Sequence, residues 1–388
     1  MREVFTTFLR LGSTSFGGPI AHLAYFRRTI VEDRRWLDEA SYARIVAFCS
    51  VLPGPTSTQV GMLIGLTRAG PLGAFAAWLG FTAPSALAMA VLAGVLGGAE
   101  RHAAPPWFGG LLNGLFAAAA AVVAQAVVGL AGTLCTDLPT KALAIGSLAL
   151  TLALRPWPGF QWVPIVLGAL AGAVALHAPG LRADGLPIRV PRGVALASGA
   201  IFVALVAVTA LPKSATVAFL ATLIRAGSLV FGGGHVVLPL LQSMIRDGLI
   251  SAQDFFAGYG AVQAMPGPLN TFATFLGYAN LSPLHGPVGA LVATILIFLP
   301  SFALIFAIAP VWNRVVGAPR AAGAIRGANA SVVGLLGAVL YDPVLLSLGT
   351  GAVRIGIAVA ALAAIALWRV APWIVVVVSA LLGALLGA

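Results

Sequence analysis

The sequence predicts an all-α polytopic membrane protein made of two inverted repeats, each carrying two broken, re-entrant helical hairpins besides transmembrane helices. Three observations lead there. Of 388 residues, 60% are hydrophobic and 9% charged, against about 25% charged in a soluble domain. Lipid is therefore the natural solvent for most of the chain. Glycines and prolines that break helices interrupt four of the apolar stretches. These interruptions form two matching pairs, 215 and 213 residues apart.

The ordinary crossings come first. A span needs about 20 predominantly apolar residues, and residues 70–96, 108–131, 194–211 and 287–310 supply such runs. Shorter runs at 142–154, 161–176, 327–340, 355–368 and 373–386 have Arg, Lys, Pro or Trp at or near their ends, the residue types of helix ends in the interfacial zone. Together they predict nine crossings. The net charge of +11 comes from 22 Lys and Arg against 11 Asp and Glu, set mostly between the apolar runs. It reads as a topology signal rather than a nucleic-acid surface. Cys49 and Cys135 stand alone and far apart, which suggests neither a disulfide scaffold nor a zinc site. No cleavable leader is expected at the N-terminus.

The four broken stretches are Ser15-Phe16-Gly17-Gly18-Pro19, Pro53-Gly54-Pro55, Phe231-Gly232-Gly233-Gly234 and Pro266-Gly267-Pro268. Leu9-Arg10-Leu11-Gly12-Ser13 before the first returns as Ile224-Arg225-Ala226-Gly227-Ser228 before the third, at an offset of 215. Leu52-Pro53-Gly54-Pro55 returns as Met265-Pro266-Gly267-Pro268 at 213, and Ala83-Pro84-Ser85 as Leu299-Pro300-Ser301 at 216. Three landmarks at nearly one offset predict a duplication. Residues 1–177 form the N-terminal repeat, 178–215 a linker with a connecting helix, and 216–388 the C-terminal repeat.

Charge orients the repeats. The basic connections at 27–44, 182–192 and 314–326 carry five, three and three arginines, and the positive-inside rule places all three in the cytoplasm. Simple crossing by every apolar segment would put the first two on opposite faces. If each broken segment enters and leaves by one face, the count closes with the N-terminus inside, nine crossings and the C-terminus outside. The first pair of hairpins then opens to the cytoplasm and the second to the outside, the inverted arrangement of many secondary transporters, whose binding site lies near the midplane.

Non-helical backbone at membrane depth is tolerated only inside protein or along a wet cavity. In each hairpin a helix restarts after the break, with Pro19, Pro55 and Pro268 suited to its first residue. Free N–H groups and positive dipole charge gather at such starts and favour an anion. Gly17, Gly18, Gly54, Gly232, Gly233, Gly234 and Gly267 allow close backbone approach. Thr56, Ser57, Thr58 and Gln59 follow Pro53-Gly54-Pro55, while Asn270 and Thr271 follow the fourth break and Gln263 precedes it. Arg10 and Arg225, at matching positions, offer guanidinium forks to a tetrahedral dianion; the competing reading is that they snorkel to the headgroups. His22 and His235 flank the glycine breaks and either bind an anion, carry a proton or act as structural hydrogen-bond donors. Pro84 and Pro300 read as kinks. The spans hold no buried carboxylate relay.

At Phe16-Gly17-Gly18-Pro19 with His22, Arg34-Arg35-Trp36-Leu37, Leu52-Pro53-Gly54-Pro55, the run from Phe231 to Pro239 and Pro266-Gly267-Pro268, the sequence resembles the chromate ion transporter family in its long, two-repeat form. The resemblance covers most of the chain. It implies export of chromate across the bacterial inner membrane, driven by the membrane potential or a proton gradient, and chromate resistance. Sulfate is the nearest rival cargo. One departure concerns the first repeat, where the family commonly has Gln two residues before the leucine of the Pro-Gly-Pro motif and this chain has Ser50, whereas the second repeat keeps Gln263. No cofactor is expected, and a homodimer stays open. A channel or a lipid-phosphate flippase would share the hairpins, whereas an intramembrane enzyme would need a catalytic constellation that the spans lack.

Overall fold

The structure, a computed structural model, describes residues 1–97, 106–154, 162–176, 190–209, 214–230, 237–312 and 318–387. Helix is the only regular secondary structure among them. Helix α1 (Arg2–Thr14) ends where Ser15 turns extended and Gly17 takes φ 96°, and α2 (Gly18–Arg27) restarts with Pro19 in its first turn. A π-helical turn, Arg28–Asp33, continues α2. Asp38 caps α3 (Glu39–Val51) by accepting the Ser41 N–H at 2.6 Å. That helix stops because Pro53 biases its predecessor, Leu52, to the extended region.

Helix α4 (Thr56–Gly97) is two helices in one. Ala69 and Gly70 leave helical geometry just before Pro71, which separates a short arm, α4a (56–68), from a long one, α4b (71–97). The arms fold together with Gly65 against the Gly73 backbone. The second repeat repeats this with α13 (Phe272–Ala279) and α14 (Gly286–Ile308), where Gly277 meets Gly289.

The chain doubles back at its first two breaks. Glu3, at the start of α1, pairs with Arg34 beyond the π turn at 3.1 Å and with Arg68 at the end of α4a at 3.3 Å. Arg27 pairs with Glu32 at 2.6 Å and with Glu39 at the start of α3 at 2.8 Å. The outer ends of α1, α2, α3 and α4a thus meet on one face, and their breaks lie together at the inner ends. In the second repeat α9 (Ala215–Leu229) stands for α1, α10 (Val237–Leu241) and α11 (Ser243–Arg246) for α2, and α12 (Ala252–Gln263) for α3.

The remaining helices exchange between repeats. Helix α5 (Pro106–Leu134) packs on α16 (Ala352–Ala366) and α17 (Pro372–Leu386), while α15 (Pro319–Val339) packs on α6 (Leu138–Ala153) and α7 (Trp162–Ala175). Small residues bring the backbones together: Gly110 against Gly383, Gly114 against Ser379, Gly168 against Gly327 and Gly172 against Gly323. Such close approach is how helices associate in lipid, where no hydrophobic drive separates protein from solvent. Asp137, at the start of α6, joins Arg326 of α15 at 2.6 Å. Helix α8 (Arg192–Val208) has no counterpart in the first repeat, lies on α14 and buries none of its residues.

Helices occupy all nine predicted crossings. Among the described residues, four stretches are long and apolar enough to cross a membrane by length and composition: Thr56–Leu96, whose longer arm is α4b, Trp107–Leu134, Gly286–Val311 and Pro319–Leu345. The others run 14 to 17 residues, roughly 21–26 Å at 1.5 Å per residue. The α16–α17 pair reaches only part-way along α5: Val375 packs with Ala121 and Val122 at its middle, and the Trp373 ring lies 5.7 Å from Phe16 at the first break. Residues 178–189 and 210–213 of the predicted linker lie outside the described residues.

Candidate functional site

The breaks of the two repeats are tied crosswise. The Gly54 N–H donates to the Val230 carbonyl at the end of α9, at 2.5 Å, and the Gly267 N–H donates to the Ser15 carbonyl at the end of α1, at 2.9 Å. The second break therefore meets the end of α9, and the fourth meets the first. Gly54 and Gly267 have φ of 132° and 93°, backbone that favours glycine. A side chain on Gly54 would press on the Gln59 amide and the Ser301 hydroxyl, and one on Gly267 on the Ser85 hydroxyl. Both glycine amides are spent on holding the tips together, so the amides left open are those of the restarting helices, around Thr56 to Thr58 and around Leu269 and Asn270.

Polar side chains crowd these tips with almost no access to solvent: Ser15, His22, Ser57, Thr58, Gln59, Asn270 and Thr271 are all at most 3% exposed. Gln59 Nε2 donates to the Pro53 carbonyl at 2.8 Å and lies 3.5 Å from Ser301 Oγ. His22 Nδ1 lies 3.2 Å from Ser57 Oγ, joining the first hairpin to the second. Its ring packs edge-on against Phe81. Thr271 Oγ1 donates to the Pro268 carbonyl at 2.8 Å. Seven described residues of the cluster nevertheless keep buried polar atoms without a hydrogen-bond partner: Ser15 Oγ, His22 Nε2, Thr58 Oγ1, Gln59 Oε1, Thr82 Oγ1, Gln263 Nε2 and both amide atoms of Asn270. Native interiors leave few such groups, and each costs about 1–3 kcal/mol unless something bonds it.

The predicted residues divide into three sets. Gly17, Gly18, His22, Pro53, Gly54, Thr56, Ser57, Gln59, Gln263, Gly267, Asn270 and Thr271 lie at or beside the tips. Gly232, Gly233, Gly234 and His235 lie outside the described residues. Arg10 and Arg225 lie away from the tips. Arg10 is exposed and lines a separate cleft of about 530 Å³ between α1 and the end of α2. Arg225 is half-buried and turns back on its own helix, donating to the Ala221 carbonyl at 3.3 Å and to Thr222 Oγ1 at 3.4 Å. Among the described residues the tip cluster holds no Lys, Arg, Asp or Glu. Its hydrogen bonds come from hydroxyls, amides and helix starts, a chemistry suited to an anion held by neutral dipoles.

Three residues that sequence reasoning passed over join the cluster. Ser85 and Ser301 follow the prolines of α4b and α14, each facing the Pro-Gly-Pro tip of the other repeat, and Thr82 lies one turn before Ser85. Their signal was present, because Pro84-Ser85 and Pro300-Ser301 are one of the three repeat landmarks. Ser50, where the family commonly has Gln, is exposed and donates to the Val46 carbonyl of its own helix, whereas Gln263 is buried with its Nε2 free. The two halves of the site are thus unequal.

The same doubling governs similarity to known proteins. The chromate transporter profile matches residues 2–174 and again 217–384. The chain belongs to the chromate transporter family. A chromate transport protein of Pseudomonas aeruginosa is 29% identical over 345 residues, covering 88% of this chain and 80% of its own length. A probable chromate transport protein of Synechococcus elongatus is 26% identical, covering 87% of this chain and 82% of its own. An uncharacterized transporter of Methanocaldococcus jannaschii is 27% identical, covering 80% and 76%. No solved structure matches the chain. Membership in the chromate transporter family, together with the apolar helices, makes this a multi-pass membrane transporter whose substrate class is an oxyanion.

Proposed function

We propose that this chain exports chromate across the bacterial inner membrane, binding it between the crosswise-tied break tips. The observation that carries the reading is the cluster of unpartnered buried polar atoms where both repeats meet. Chromate is a tetrahedral dianion, and hydroxyls, amide groups and helix starts can share its oxygens without a fixed counter-charge. In this reading Thr56, Ser57, Thr58 and Gln59 face it from one repeat, with Gln263, Asn270 and Thr271 from the other. His22 orients Ser57. Pro53, Gly54 and Gly267 shape the tips, and Gly17, Gly18, Gly232, Gly233, Gly234 and His235 belong to the paired glycine breaks. Arg10 and Arg225 act on the approach to the site from opposite faces.

The broken helices re-enter the bilayer, the first pair from the cytoplasm and the second from outside, with the N-terminus inside and the C-terminus outside. Rocking of one repeat against the other would then expose the tips alternately. The membrane potential favours outward movement of a dianion, at about 2.3 kcal/mol per charge per 100 mV, and a proton gradient is the second candidate drive. The test is chromate accumulation in a sensitive bacterial strain with and without this protein, repeated in excess sulfate. Lower cellular chromate that sulfate does not reverse supports selective export; unchanged or raised chromate refutes it.

A further inference from the structure

The two repeats differ most along their first helices. In α1, Arg2, Glu3, Thr6, Arg10, Ser13 and Thr14 form an exposed stripe at three- and four-residue spacing. Their repeat partners in α9, Val217, Ala218, Ala221, Arg225, Ser228 and Leu229, are all buried or half-buried, and all but Arg225 and Ser228 are apolar. An exposed arginine flanked by hydroxyls at membrane depth cannot face hydrocarbon without a cost of at least about 2.5 kcal/mol. The α1 stripe is therefore wet.

The cleft beside it has a composition of its own. Its wall carries Arg10 from α1, Arg28 and Arg34 from the end of α2, and one acid, Asp33. Glu3 is engaged with Arg34 and Arg68, whereas among the described residues Arg10 and Arg28 have no ion-pair partner. The cleft runs from the face that gathers Glu3, Arg34 and Arg68 to Thr14, next to the Ser15 carbonyl that binds the fourth break.

We infer that this groove is a water-filled capture site for tetrahedral dianions, in which Arg10 and Arg28 concentrate the anion beside the first break while the matching groove on α9 is closed. It deepens the reading under Proposed function by giving the substrate a first contact distinct from the tips. Capture on the basic, cytoplasmic face and closure on the other would bias the protein toward export. A lipid phosphate has the same chemistry as the free dianion, so the test separates them.

The experiment places Thr14→Cys, or Thr6→Cys as a second variant, both in the wall of the cleft, in the full-length protein in inside-out vesicles; the parental protein, whose two cysteines are buried, is the blank. Labelling uses two membrane-impermeant methanethiosulfonates, one anionic and one cationic. The anionic reagent should react about tenfold or more faster relative to free thiol, the scale of focusing by a charged cleft. Arg10→Gln should bring the ratio toward one. Millimolar sulfate or chromate should slow labelling, and Ser228→Cys should react more slowly from either face, as its burial requires. Absence of labelling, of charge preference or of protection by either dianion overturns the inference. Protection that follows phosphatidylglycerol content and not the dianions overturns it in favour of a headgroup site. Charge-selective labelling with sulfate protection in a protein that leaves cellular chromate unchanged upholds the groove and refutes chromate as cargo.

Discussion

The amide of Gly54 donates to the carbonyl of Val230 at 2.5 Å, across the boundary between the repeats. Position 54 sits at φ 132°, and a methyl there would meet Gln59 and Ser301. Gly54→Ala should therefore cost about 1–3 kcal/mol in backbone strain, besides displacing the groups around the tip. The expected outcome is a lower melting temperature in detergent and loss of chromate resistance, and Gly267→Ala should behave alike. Wild-type melting and resistance in both variants would remove the crosswise tie from the account of the site.

Gln59 separates a structural role from a binding one. Its Nε2 is used by the Pro53 carbonyl, but its Oε1 is buried and free. Gln59→Leu loses the amide bond and should lower both stability and transport. Gln59→Glu puts an acceptor-only, negative group where the bond to Pro53 was made. It should depress transport of a dianion at least about tenfold, the equivalent of 1.4 kcal/mol of repulsion. Initial uptake rates in inside-out vesicles decide this, and equal rates for wild type and the glutamate variant would exclude Gln59 from the anion's path.

Ser85 and Ser301 allow a test of equivalence between the halves. Each hydroxyl faces the opposite Pro-Gly-Pro tip, yet Ser301 lies near the Gln59 amide while Ser85 donates to the Thr82 carbonyl of its own helix at 3.2 Å. Ser301→Ala should weaken chromate transport more than Ser85→Ala, by a factor of about 5, in keeping with roughly 1 kcal/mol for one hydrogen bond. Concentration dependence of uptake would show the difference as a raised half-saturation value for the Ser301 variant.

Much of this was legible because the duplication preserved the residues that break helices. Glycine and proline act through the backbone, so Phe16-Gly17-Gly18 and Pro53-Gly54-Pro55 marked the breaks without any knowledge of packing. The tie between the second break and the end of α9 left no such mark, since the bond from Gly54 to Val230 runs between backbone atoms. Ser85 and Ser301 were visible as a repeat but read as companions of kinked prolines. Arg10 was placed near the tips by sequence distance. Its helical phase, shared with Thr6, Ser13 and Thr14, turns it into the outer cleft instead, and that spacing was readable in the sequence.

In the proposed topology Arg225 lies on the approach from the closed face. Its hydrogen bonds run to Ala221 and Thr222 of its own helix, so Arg225→Ala removes a positive charge and breaks no hydrogen bond between helices. Membrane expression should be intact and transport lost, and Arg225→Lys should restore part of it by keeping the charge without the fork. Unchanged resistance in the alanine variant would sink its role.

Asp137 makes a pH-dependent prediction away from the tips. Hydrogen bonds from the Thr140 hydroxyl and amide, with a further contribution from Arg326, lower its pKa to about 2, below the roughly 3.9 of a free aspartate. The folded protein therefore binds the proton less tightly than the unfolded chain. The stabilisation is fully present above about pH 4 and is lost as pH falls through the folded value. Asp137→Asn keeps a competent helix cap but removes the charge that meets Arg326. Its melting temperature should lie below wild type by a constant amount from pH 8 to pH 5, and the two should converge as pH falls from about 4 toward 2. A gap that instead widened on acidification, or that closed between pH 8 and 6, would show that the carboxylate does not hold α6 against α15 in this way.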